Sequence, residues 1–156
     1  MSEVQLILLQ EGEGCTIYTL HFIGDEKNEF EKFVEKVKVD SELNSDFRQI
    51  VRVLERIGHI GAMERYFRPE GKFKDSIVAL PINKTPLRLY CIRLTDKILI
   101  LGNGGRKTTR TYNEDEVLQG YVITLQKFEK LLKEEETKGN IKITEHRIET
   151  DKLFDL

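Results

Sequence analysis

The 156 residues contain no tryptophan, three prolines and only two cysteines, and each scarcity excludes something. Cys15 and Cys91 are too few and too far apart in sequence for a disulfide framework, so the thiol usage fits a reducing cytoplasm better than a secreted scaffold. His21, His59 and His146 are scattered with no cysteine at ligand spacing, and no metal site is expected. Long hydrophobic runs are missing as well. Val4–Leu9 is too short to cross a bilayer, and acidic Glu3 precedes it where an export signal carries basic residues. There is no internal repeat and no low-complexity stretch. What remains is a cytoplasmic globular chain, large enough to bury one core without staples.

What the chain does have is charge sorted along its length. The net charge is −2, but residues 65–112 carry eleven Lys/Arg against three Asp/Glu, a local +8, while residues 1–64 sum to −6 and residues 113–156 to −4. A basic middle between acidic ends suggests a localised anion site, with phosphate the foremost candidate.

Hydrophobic spacing supplies the scaffold. Val4–Leu9 and Cys15–Phe22 read as strands joined by Glu11-Gly12-Glu13-Gly14, a hairpin signal. Asp25 is the expected N-cap of a short helix whose apolar positions are Phe30, Phe33, Val34 and Val37. A second helix starts near Asn44 or Ser45, carries Phe47, Ile50, Val51, Leu54 and Ile57 on one stripe, and has Gly58 at its expected C-terminal boundary. Three strands, Ser76–Ile82, Leu87–Leu94 and Lys97–Leu101, follow with joins short enough for an antiparallel meander. A last helix begins after Asn113 and repeats Leu118, Tyr121, Val122, Leu125, Phe128 and Leu132 up to Lys138-Gly139-Asn140. The expectation is one α+β domain over residues 1–156: an antiparallel sheet made of the N-terminal hairpin (4–22) and the meander, with two N-terminal helices and one C-terminal helix packed largely on one side. Residues 138–156 form an extension.

The basic middle falls on the last two meander strands. Strand parity puts Leu87, Leu89, Cys91 and Arg93 on one face and Arg88, Tyr90 and Ile92 on the other. Arg93 lies near a turn, where a snorkelling role is easy. Arg88 sits early in a central strand among apolar neighbours and needs an anion, which is either an internal carboxylate or a phosphate. Gly102, Gly104 and Gly105 allow positive φ or close backbone approach, and Arg106, Lys107 and Arg110 follow them. A Walker P-loop is excluded by spacing, because it requires four residues between its glycines and a glycine directly before Lys-Thr, where this chain has Arg106. Taken singly, each feature also has an ordinary reading as a tight turn or a solvated strand edge. Together, Arg88 and the basic segment are expected to point into one concavity, away from the acidic helices.

Over roughly residues 43–132 the chain resembles RelE/HigB-type toxins of bacterial toxin–antitoxin pairs. The matching segments are Pro86-Leu87-Arg88-Leu89-Tyr90 and Gly104-Gly105-Arg106-Lys107-Thr108-Thr109-Arg110-Thr111-Tyr112, with Gly58-His59-Ile60-Gly61 and Lys72-Phe73-Lys74 similar to the linker of HigB-like members. Ile77-Val78-Ala79-Leu80-Pro81-Ile82 departs from the pattern by lacking the lysines that such toxins tend to carry on the first meander strand, and Gly102-Asn103-Gly104 replaces a histidine–glycine–phenylalanine corner. The resemblance implies a metal-independent endoribonuclease, without cofactor, that cleaves mRNA at the ribosome and is restrained by a small antitoxin protein. It implies Arg88 and Arg106 as phosphate clamps and Tyr112 as a base-stacking or proton-transferring residue. Lys84, Lys107, Arg110, Lys72 and Lys74 would then be contacts to the RNA backbone. A ParE-like toxin that binds gyrase, or a non-catalytic binding module, are the alternatives on the same fold.

Overall fold

The central strands are apolar on both faces. Leu89 and Cys91 are buried on one side of their strand, Tyr90 and Ile92 on the other, and the next strand alternates Leu99 and Leu101 with Ile98 and Ile100 in the same way. Such strands need cover on both sides. The computed structural model describes residues 2–71, 75–107 and 112–156, the first four of the last span as helix backbone alone. In chain order it contains β1 (Glu3–Glu11), β2 (Thr16–Phe22), α1 (Glu29–Lys38), α2 (Asn44–Ile60), β3 (Arg68–Pro69), β4 (Ile77–Leu80), β5 (Leu87–Thr95), β6 (Ile98–Arg106), α3 (Tyr112–Thr137), β7 (Lys142–Ile143), β8 (Ile148–Glu149) and β9 (Leu153–Asp155).

The fold is α+β, with a mostly antiparallel sheet, and differs from the expected arrangement in three ways. Helices cover both faces rather than one. Phe33 and Val37 of α1 and Ile50 and Ile57 of α2 pack with Ile17, Leu87, Leu89, Cys91, Leu99 and Leu101. Leu118, Leu125, Phe128 and Leu132 of α3 pack on the opposite face with Tyr18, Leu20, Tyr90, Ile92 and Ile100. Each fully buried Leu, Ile or Phe here contributes roughly 1.5–3 kcal/mol, so the double apolar alternation drives the two-sided cover. Secondly, the sheet is mixed, because β2 runs parallel to β6, from Thr16 opposite Ile98 to Thr19 opposite Leu101. A parallel neighbour needs a crossover, which α1 and α2 supply. Thirdly, the seven-stranded order β3-β4-β5-β6-β2-β1-β9 includes strands outside the hairpin and meander. The N-terminal hairpin extends the main sheet, and the C-terminal extension returns to lay β9 along β1, Val4 opposite Phe154.

Local chemistry moves two helix boundaries. The N-cap of α1 is Asn28 rather than Asp25: its side chain accepts from Glu31 N at 2.8 Å, and Glu31 Oε1 accepts from Asn28 N at 2.9 Å, a complete capping box. Asp25 pairs with Lys32 instead, at 2.5 Å. The second helix continues past Gly58 to Ile60 and is stopped by Gly61 at φ +114°, a conformation that side chains resist. Gly58 O accepts from Gly14 N at 3.0 Å, so the β1–β2 turn docks on the end of α2.

Pairing between β2 and β6 ends at Thr19–Leu101, while β6 continues to Arg106. That leaves a notch in the sheet. Thr19 Oγ1 closes one side of it by donating to Leu101 O at 2.7 Å, and α1 lies along the rest.

Candidate functional site

The β5–β6 register decides where the basic residues go. Leu87 is opposite Arg106, and Arg88 is opposite Gly105. Residues directly opposite share a face and successive residues alternate, so Arg106 projects toward the α1/α2 side and Arg88 toward the α3 side. The expectation of a single concavity holding both arginines is therefore corrected. The acidic helices do not lie elsewhere either. Arg106 Nε and Nη2 donate to Asp40 Oδ2 at 3.2 and 3.0 Å, and Nη2 also reaches Glu42 Oε2 at 3.0 Å. These hydrogen bonds, Asp40 first and Glu42 second, raise the guanidinium's pKa. Arg106 is engaged as a fastener between β6 and the turn that enters α2.

Arg88 has different surroundings. It is only 5% exposed, and its Nη1 donates to the carbonyl oxygens of Thr85 and, at 2.8 Å, Leu87. Its Nε is buried without a hydrogen-bond partner among the described residues. Burial, and after it the positive charge of Arg68, lower its pKa. No carboxylate of the described residues bonds or pairs with it. Arg93, by contrast, has an internal role: its Nε donates to Ala62 O at 2.6 Å and ties β5 to the exit of α2.

The glycines work by proximity. Gly102, Gly104 and Gly105 lie within β6, not after it, and none has a positive φ. A Cβ on Gly104 would sit 1.9 Å from Arg88 O, inside any tolerable contact. Glycine at that position lets β5 and β6 close around the Arg88 backbone and fixes the register that separates the two arginines.

On the α3 side a cleft of about 670 Å³ opens between β5, the β3–β4 edge and α3, lined by Tyr90, Glu70, Gly71, Lys107, Leu118 and Gln119 among others. Tyr90 shares its β5 face with Arg88. Lys107 is exposed, with its backbone N–H held by Pro86 O at 2.5 Å, and Lys84 is exposed on the turn before β5. Lys72, Lys74 and Arg110 lie outside the described residues, as does the side chain of Tyr112.

At the notch the structure assembles a cluster that sequence reasoning missed. Lys36 of α1 belongs to an exposed residue position, yet its ammonium donates to Asn103 Oδ1 at 2.9 Å, to Gly104 O at 3.0 Å and to the Tyr121 hydroxyl. It also lies 4.4 Å from the Tyr121 ring centroid. Desolvation lowers its pKa to about 8, against a smaller raising influence from Glu29. Glu29, buried, pairs with Lys32 at 2.7 Å and accepts a long hydrogen bond, 3.4 Å, from Asn103 Nδ2. Burial and then Glu29 raise the pKa of Tyr121. Sequence alone gave Lys36 the look of an ordinary charge between apolar helix positions. Arg68 was missed for a different reason, since it sits in a two-residue strand that has no periodicity to detect.

Among the described residues no group of three or more His, Cys, Asp or Glu is placed to hold a metal ion, and no helix is long and apolar enough to cross a membrane. No family model matches the chain, and no curated protein or solved structure matches it.

Proposed function

We propose that the chain is a RelE/HigB-type toxin that cleaves mRNA without a metal and is held inactive by a small antitoxin protein in the cytoplasm. The observation that carries this reading is Arg88, a buried guanidinium whose hydrogen bonds, among the described residues, go to backbone carbonyls alone. A buried cation without a carboxylate is expensive to maintain, and an incoming phosphate is the partner its donors suit. The exposed Lys107 and Lys84 flank it and would follow the RNA backbone.

The chemistry is a transesterification. The RNA 2′-oxygen loses its proton and bonds to the adjacent phosphorus, the P–O5′ bond breaks, and the leaving 5′-oxygen takes up a proton, giving a 2′,3′-cyclic phosphate and a 5′-hydroxyl. Arg88 would stabilise the charge that builds on the non-bridging oxygens. Lys72, Lys74, Arg110 and Tyr112 keep the roles implied by the resemblance, as backbone contacts and as a stacking or proton-transferring group. Arg106 loses its role as a free clamp because two carboxylates occupy it.

That ion pair favours the second reading, a ParE-like gyrase-binding toxin on the same fold, which makes no demand on Arg106. Controlled induction of the gene followed by RNA 5′-end mapping separates them. New 5′-hydroxyl ends in mRNA within minutes of growth arrest support the ribonuclease. Arrest with DNA-damage signalling and intact mRNA supports the gyrase reading.

A further inference from the structure

The sequence resembles its family without the lysines expected on the first meander strand, and the structure places another cation beside that strand. The short β3 pairs antiparallel with β4, Arg68 opposite Ala79, and β4 pairs with β5, Ala79 opposite Tyr90. Arg68, Ala79 and Tyr90 therefore form one row across the sheet on a shared face, and Arg88 lies on that face two positions along β5. The strand is held in place by Glu70 N donating to Ile77 O at 3.0 Å, with Pro69 restricting the backbone just before it.

Both guanidiniums are incompletely satisfied. Arg68 Nη1 and Arg88 Nε are buried with no hydrogen-bond partner among the described residues. Each is close enough to the other for Arg68 to depress the proton affinity of Arg88, an effect second only to burial itself. The acidic groups that act on Arg88 in the opposite sense, Tyr90, Glu70 and Asp46, do so more weakly and none bonds to it. Two like charges in one partly buried place repel each other, and a bound anion removes both the repulsion and the unmet donors.

We infer that Arg68 is the second arm of a two-arginine clamp that, with Arg88, holds a phosphodiester of single-stranded RNA at the β3–β4–β5 edge, in place of the absent strand lysines. Planar guanidinium forks suit the tetrahedral oxygens of phosphate, and two of them can bind non-bridging oxygens from different directions. The cleft of about 670 Å³ on the same face is lined by Tyr90, Glu70 and exposed Lys107, not by either arginine, so it offers room for a nucleotide unit next to the clamped phosphate, with Lys107 as a further cation. A run of phosphates therefore suits the site better than a lone ion. The choice of RNA as the source of that phosphate rests on the ribonuclease reading; the clamp itself does not.

The test uses the full chain and a 2′-O-methyl RNA oligonucleotide, which lacks the nucleophile and reports binding without cleavage. Affinity is measured against salt concentration for the wild type, Arg68→Met, Arg68→Lys and Arg88→Met, with inorganic phosphate in a parallel titration and melting curves as a folding control. Arg68→Met should weaken oligonucleotide binding about tenfold and lower the slope of log K against log salt by roughly 0.7, one phosphate contact on a single strand. Arg68→Lys should recover the slope and only part of the affinity, because the charge returns without the fork. Equal affinity and slope in wild type and Arg68→Met overturns the clamp, as does binding of inorganic phosphate with no preference for the oligonucleotide. If Arg68→Met melts early, Arg68→Lys decides the matter: a folded Lys variant with unchanged affinity and slope refutes the role of the fork. Loss of binding in Arg68→Met, in a protein whose wild type leaves mRNA intact, supports the clamp and rejects the ribonuclease reading; the reverse pattern does the opposite.

Discussion

Arg88 and Arg106 occupy the same β5–β6 corner on opposite faces of the sheet, and they have been given opposite surroundings. On the α1/α2 side Arg106 meets Asp40 and Glu42 at about hydrogen-bond distance and is spent on holding β6 to the entry of α2. On the α3 side Arg88 meets carbonyl oxygens and the field of a second arginine. A guanidinium answered by two carboxylates needs nothing further. One left beside another guanidinium stores unfavourable energy that a bound anion can release. The same residue type, one register step apart, thus acts as fastener on one face and, in the proposed reading, as receptor on the other.

The strongest way to break that comparison is to disturb the register that creates it. Gly104→Ala places a Cβ 1.9 Å from Arg88 O, and the contact is with backbone that cannot swing aside. Unfolding by denaturant should show a loss of about 3 kcal/mol or more, in the range reserved for core overpacking and strain. A loss under about 0.5 kcal/mol would mean that the two strands do not close as described, and the assignment of the arginines to opposite faces would go with it.

A smaller effect sharpens the comparison at the notch, where Lys36 is a third cation with an intermediate environment. Its bonds to Asn103, Gly104 and Tyr121 join α1 to α3, the helices of the two faces. The folded chain holds the Lys36 pKa at about 8, below the ordinary lysine value of 10.5 that applies when unfolded. Between those values the unfolded chain binds more protons, so stability should rise as pH increases from 8 to 10.5, whereas below pH 8 the penalty is constant. Lys36→Met should flatten that rise in urea titrations across pH 7–10. An identical pH profile in the variant would remove Lys36 from the account.

The parts of this organisation visible in sequence were those encoded locally. Phe30, Phe33, Val34 and Val37 announced α1, and the double alternation in Leu87–Leu94 announced a strand buried on both sides, from which cover on both faces could have been read. Parity also separated Arg88 from Arg93 correctly. What stayed hidden depends on partners distant in the chain. The pairing of Arg106 with Asp40 spans 66 positions, and the parallel contact of β2 with β6 spans more than 80. Neither leaves a local trace. The glycine run was legible as a place of close approach, but its alternative meaning, positive φ, is not used by any of the three. Arg68 was invisible because β3 exists only through its pairing with β4.

The central claim is that the α3-side arginine, not the α1/α2-side one, meets phosphate. It is tested most directly by comparing Arg88→Met and Arg106→Met, both checked for folding, in the induction assay with mapped mRNA 5′ ends. Arg88→Met should lose about 100-fold in cleavage, the scale of removing one preorganised donor from a developing charge, and its melting temperature should hold or rise as a buried charge that has no carboxylate partner among the described residues is removed. Arg106→Met should cleave within a fewfold of wild type and melt slightly earlier. Full cleavage by folded Arg88→Met, with the loss falling on Arg106→Met, would contradict the account.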